Sequence, residues 1–226
     1  MAWKNDQVNE KETARILELA RACVKVPGDF VEMGCYRGDT SLILAEMLQC
    51  NARLRQKVRC SVDVRQSTSP SATPSSSPSI HAEASQELGG KDAKKLWIYD
   101  SFEGLPEKKE VDKSVMGVLF RSGELAATKR EVKERFLRAN LPVPRIKKAW
   151  FSDLTPEDMP EKIAFAFLDG DFYESIRDSL RLVTPRMSDE GILVVHDYTN
   201  PALPGVKRAV DEWNNREKYS FEVVLL

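Results

Sequence analysis

A doubly wound α/β fold, one mostly parallel sheet with helices on both faces, is what this 226-residue sequence predicts. Short apolar runs alternate with stretches of helical periodicity, which is the pattern of successive βα units. The runs Phe165–Leu168 and Gly191–Val195 are apolar at consecutive positions, as strands buried on both faces of a parallel sheet must be. These two runs hand over to polar groups, Asp169 and Asp171 after the first and His196 and Asp197 after the second. That places them at the carboxyl edge of the sheet, where open α/β folds bind ligands.

Taken in order, the apolar positions Ala14, Ile16, Leu17, Leu19, Ala20, Cys23 and Val24 recur at helical spacing from Glu10 to Val24, and Pro27-Gly28 ends the run. Asp29–Met33 reads as a strand, Gly34–Gly38 as a tight loop, and Thr40–Cys50 as a helix capped by Asp39 or Thr40. Residues 66–92 crowd serine and proline with almost no large apolar side chains, so an inserted flexible loop is expected there, with His81 solvated. Leu96–Asp100 is a strand ending on another acid, and Ser101–Pro106 carries the glycine and proline of a turn.

A helix over Thr128–Asn140 aligns Val132, Phe136 and Ala139, and an extended segment Arg145–Phe151 leads to Ser152-Asp153. Pro156 opens a short helical turn, helices are expected over Tyr173–Leu182 and Val206–Asn215, and Phe221–Leu226 closes the sheet. The length suits a single domain, 1–226, interrupted by the serine-proline insertion.

A net charge of -1 without a lysine-arginine block removes the electrostatic case for a nucleic-acid or membrane-surface partner, and a small-molecule ligand is expected instead. No apolar run approaches the roughly 20 residues that span a bilayer. Cys23, Cys35, Cys50 and Cys60 lack Cys-x-x-Cys spacing, and nothing resembling a signal peptide precedes the polar stretch Lys4–Thr13, so neither disulfides nor structural zinc are expected. Reduced, buried thiols in a cytoplasmic chain are the expectation.

Several carboxylates at one sheet edge repel one another, which raises at least one pKa unless a cation sits among them. Glycines 34 and 38 let backbone approach a ligand beside Glu32, and the following helix offers free amides. The spacing Glu-x-Gly-x-x-x-Gly is looser than the dinucleotide fingerprint and is a weak signal alone. Asp100, at the end of the next core strand, strengthens it, because an acid there can accept both hydroxyls of a ribose. Its interval from the glycine loop exceeds the usual span of about 20 residues, and the insertion accounts for the excess.

Four motifs in order resemble those of the macrocin O-methyltransferase (TylF-type) family of class I S-adenosylmethionine-dependent methyltransferases, which have a Rossmann-like sheet and methylate sugar hydroxyls. They are Pro27–Gly34 with Arg37-Gly38, Asp100–Pro106, Leu168–Ser175, and His196-Asp197-Tyr198 before Pro204-Gly205. The resemblance implies that Glu32 and the Gly34–Gly38 loop, Tyr36 included, hold the methionine part of the cofactor. By the same resemblance Asp100 takes the ribose diol, Phe151, Ser152 and Asp153 the adenine region, Ser41 helps from the helix start, and Ser101 is a further cofactor-binding residue. It assigns Mg2+ (or Mn2+) to Asp169, His196 and Asp197, makes Asp171 the base, implies a small-molecule hydroxyl acceptor, and suggests a homodimer.

The family pattern has aspartate where His196 stands. A neutral imidazole is a poorer magnesium ligand than an oxygen donor, so His196 is open to three readings: ligand to a softer ion, acid-base or supporting residue, or strand-end histidine without chemistry. Asp169, Asp171 and Asp197 also suit turns and caps, and Asp153 an ordinary helix start. Tyr36 and Tyr198 are candidates for cation-π contact with a sulfonium. An NAD-type oxidoreductase and a non-catalytic cofactor-binding relic are the competing functions.

Overall fold

The computed structural model describes residues 7–66, 93–116, 120–215 and 219–226, and for 55–66 the backbone alone. Most of the expected insertion, and His81 with it, lies outside the described residues. The elements are α1 (Glu10–Ala22), β1 (Asp29–Met33), α2 (Asp39–Gln66), β2 (Leu96–Asp100), α3 (Lys129–Arg138), β3 (Arg145–Lys148), β4 (Ile163–Leu168), α4 (Tyr173–Val183), β5 (Met187–Val195), α5 (Pro204–Asn214) and β6 (Glu222–Leu225). Short 3-10 turns occupy Phe151–Asp153 and Pro156–Asp158.

The six strands form one sheet in the order β3-β2-β1-β4-β5-β6, and every neighbouring pair is parallel. Chain progression reverses between β1 and β4, the topological switch point at which such sheets open a ligand crevice. Period-two alternation separates the two layers. Phe30, Ile98, Phe165, Phe167 and Val194 point to one core with Ile16, Leu19, Leu42, Val132 and Phe136 from α1, α2 and α3. Val31, Met33, Ala166, Leu168 and Val195 point to the other, with Ile176, Leu180, Val206 and Val210 from α4 and α5.

Three expectations are corrected. The second helix runs on through Gln66 instead of stopping near Cys50. It also begins on Asp39 instead of being capped by it: the Leu42 amide bonds back to the Gly38 carbonyl at 2.9 Å, and the Asp39 carboxylate pairs with Arg135 of α3. Cys23 and Cys35 are buried, but Cys50 is exposed. None of the described helices is long and apolar enough to cross a membrane.

Gly34 has a specific reason to be glycine. Its φ is +89°, and a Cβ would lie 2.0 Å from the Asp169 carbonyl oxygen. Its amide bonds to Tyr99 O while the Asp169 amide bonds to Met33 O, both at 2.9 Å. The ends of β1, β2 and β4 are thereby laced together at the crevice.

Candidate active site

One cleft at this edge is lined by Glu32, Gly34, Tyr36, Asp100, Ser101, Phe151, Asp169, Asp171, His196 and Asp197. Each strand end delivers its own group: β1 supplies Glu32 and the glycine loop, β2 Asp100, β4 Asp169 and Asp171, and β5 His196 and Asp197. Gly38, Ser41, Ser152 and Asp153 do not line it. Ser41 is buried and hydrogen-bonds to the Glu32 carboxylate, so it bears on the cleft through that residue. Ser152 and Asp153 are exposed, and their mutual contact of 3.2 Å turns them toward each other.

The sequence reading missed part of the wall. Ala149 and Trp150, just before Phe151, line the cleft with Phe120 and Leu125, and Gln7 and Val8 approach from the start of the chain. The apolar character of Ala149-Trp150-Phe151 was the available signal. Tyr198, a candidate for sulfonium contact, is not in the cleft wall; Lys207 Nζ covers its ring at 4.5 Å and its hydroxyl donates to Asp211 at 2.7 Å. Tyr36 does line the cleft, with Arg37 over its ring at 5.1 Å. Phe172 packs in the core, and Tyr173 donates to Glu212 at 2.6 Å.

Asp100 does more than face the cleft. Its Oδ2 accepts the Cys35 and Tyr36 amides at 2.8 and 3.1 Å and its Oδ1 the Phe102 amide at 2.7 Å. An ionised carboxylate has about four acceptor positions, so most of its capacity is spent shaping the two loops that a nucleoside would meet. Backbone strain gathers around the cleft. Tyr36, Phe102, Asp171 and Asp197 adopt φ of +46°, +54°, +58° and +59°, values rarely adopted by side chains other than glycine.

Electrostatics divides the acids into distinct states. Burial, together with the nearby Asp169 and Asp100 charges, pushes Glu32 up to about 8 despite the Ser41 hydrogen bond. Asp171 is raised well above the carboxylate range, first by burial and then by Asp169 and Asp197. His196 Nδ1 lies 3.1 Å from Asp169 Oδ1 and 3.1 Å from Asp197 Oδ2. Burial opposes its imidazolium, but the charge and hydrogen bond of Asp169, joined by Asp197, outweigh it and push the pKa up to about 11. Burial likewise opposes ionisation of Asp197, yet its bond and charge interaction with His196 bring its pKa below the usual value. The repulsion expected of the acidic cluster is thus eased by His196, whose cationic form its two aspartate neighbours favour, and it raises the proton affinity of Asp171.

One ligand atom from each of Asp169, His196 and Asp197 lies within 4.8 Å of the others. Two carboxylates and an imidazole form a mixed nitrogen-oxygen donor set, which suits Mn2+ or a later transition ion better than Mg2+. Occupation requires an unprotonated His196 Nδ1, because imidazole binds a metal through the lone pair of a ring nitrogen.

Fold and cleft define a class I methyltransferase architecture, and comparison with known proteins narrows it. Residues 78–224 match the family model described as Macrocin-O-methyltransferase (TylF), and the chain belongs to that family. It is 28% identical over 197 residues to the 8-demethyl-8-(2,3-dimethoxy-alpha-L-rhamnosyl)-tetracenomycin-C 4'-O-methyltransferase of Streptomyces olivaceus, covering 84% of this chain and 59% of that protein. It is 27% identical over 221 residues to the demethyldecarbamoylnovobiocin O-methyltransferase of Streptomyces niveus, covering 93% and 69%. The structure of the O-methyltransferase NovP superposes with a TM-score of 0.65 at 26% identity, covering 91% of this chain and 72% of that one.

Proposed function

We propose that this chain binds S-adenosylmethionine and catalyses methylation of a hydroxyl on a small molecule, of which a sugar is the favoured class. The observation that carries the reading is the meeting of Asp169, Asp171, His196 and Asp197, from two adjacent strand ends, in the same cleft as Glu32 and the Asp100-braced glycine loop. The Streptomyces olivaceus relative is named for methylation of a rhamnosyl-bearing tetracenomycin, which supports the sugar hydroxyl as acceptor.

In this mechanism Glu32 faces the amino-acid end of the cofactor, the Asp100 carboxyl the ribose, and Phe151 with Trp150 the base, where flat apolar walls suit an adenine ring. The bound cofactor supplies an electrophilic methyl group. Asp171 takes the proton of the acceptor hydroxyl from its ionised form, and burial beside Asp169 and Asp197 raises its affinity for that proton. Asp169, His196 and Asp197 would hold a divalent cation, whose charge acidifies a nearby hydroxyl when bound. Orientation of the hydroxyl by these groups contributes the remainder.

The 3.1 Å contacts of His196 Nδ1 with both aspartates favour a second reading, in which imidazolium itself balances the cluster and no metal is required. Calorimetric titration with S-adenosylhomocysteine, with and without Mn2+, separates the cases. Asp100→Asn is expected to weaken S-adenosylhomocysteine at least tenfold, and Asp169→Ala to abolish any Mn2+ binding while sparing the nucleoside. If both variants bind both ligands like the parent, the site is misassigned; chelator-insensitive methyl transfer selects the metal-free reading.

A further inference from the structure

His196 is held from both ends, and the second hold comes from an unexpected place. While Nδ1 faces Asp169 and Asp197, Nε2 lies 3.5 Å from Glu12 Oε2, on the first turn of α1 and 184 positions away in sequence. The ring is 6% exposed and packs at 5.9 Å between centroids from Phe167, so it cannot rotate freely between partners. The same Glu12 oxygen accepts the Asn9 amide at 3.2 Å, closing the capping box of α1, in which Asn9 Oδ1 accepts the Lys11 and Glu12 amides at 3.0 Å each. A helix cap has therefore been placed in reach of the cleft, and Gln7 and Val8, immediately upstream, line that cleft.

We propose that Glu12 is a positioning residue for the active centre: by engaging Nε2 of His196 it commits Nδ1 to Asp169 and Asp197, in the carboxylate-histidine arrangement that orients imidazole ligands. The inference deepens the reading of those three residues as the cation-holding corner and rests on it. An ordinary capping role accounts for the Asn9 contact but not for the approach to a buried ring. Glutamine also satisfies a capping box, so Glu12→Gln keeps the cap's acceptor and removes the charge that faces the ring. Asn9→Ala does the reverse, weakening the cap and leaving the carboxylate.

The test uses the full chain with 15N-labelled histidine rings. There are two histidines, and the His196→Gln variant identifies the second set of signals. Glu12→Gln is expected to shift the His196 Nε2–H resonance and to weaken Mn2+ binding about tenfold, whereas Asn9→Ala lowers the melting temperature and leaves the ring resonance in place. Unchanged His196 signals in Glu12→Gln, or an equal shift in Asn9→Ala, overturn the proposal. Absence of Mn2+ binding by the parent counts against the metal reading instead, and the ring resonance still decides the part played by Glu12.

Discussion

Asp171 carries φ +58° and a proton affinity well above that of an ordinary carboxylate, two costs concentrated in one side chain at the proposed point of proton transfer. Asp171→Asn keeps the shape and removes the base, so methyl transfer is expected to fall by about 10²- to 10⁴-fold with S-adenosylhomocysteine affinity retained; single-turnover rates and calorimetry on the same sample check both halves. Glu32 makes a pH-dependent contribution whose sign follows from its shift. Its folded pKa of about 8 lies above the ordinary 4.5, so the folded state holds the proton more tightly. That contribution is fully present below pH 4.5 and is lost as pH rises through 8. Chemical denaturation of the ligand-free protein should show stability declining across this window, and Glu32→Gln should flatten the decline. A profile of Glu32→Gln that falls as steeply as the parent's would assign the loss to other groups.

At the scale of elements, the β1 loop is the most constrained piece of backbone near the cleft. Gly34→Ala meets the Asp169 carbonyl oxygen at 2.0 Å at a φ of +89°, so β1 and β4 cannot both keep their register. Destabilisation of about 3 kcal/mol or more, with loss of S-adenosylhomocysteine binding, is expected from the combined clash and strain; urea unfolding gives the first number and calorimetry the second. Helices were legible where one face alternates cleanly, as in α3, whose Thr128 and Glu131 form a capping box and whose Val132 and Phe136 are buried. The end of α2 was not legible, because helical periodicity fades after Cys50 and polar residues are compatible with both helix and loop.

For the whole molecule, the sheet is a partition between two cores, and Phe165 anchors one of them, with its ring centroid 5.2 Å from that of Phe30. Phe165→Ala is expected to cost about 3–5 kcal/mol. The cleft residues sit on strand ends and loops beyond that core, so saturating S-adenosylhomocysteine should recover part of the loss: about 2.7 kcal/mol at a hundred times its dissociation constant. A melting temperature unmoved by the nucleoside in both parent and variant would count against the proposed cofactor site.

Strand positions, the acids that follow them and the order of the motifs could be read from the chain alone, because consecutive apolar residues and glycine turns are local properties of sequence. The convergence of Glu12 with His196, the bracing of two loops by Asp100, and the opposite effects of burial and neighbouring charge on His196 and Asp171 could not. These depend on distances between groups far apart in sequence, and Coulomb and desolvation energies are fixed by separation and burial in space. Only the folded sheet, by setting β4 beside β1 and β5, decides them.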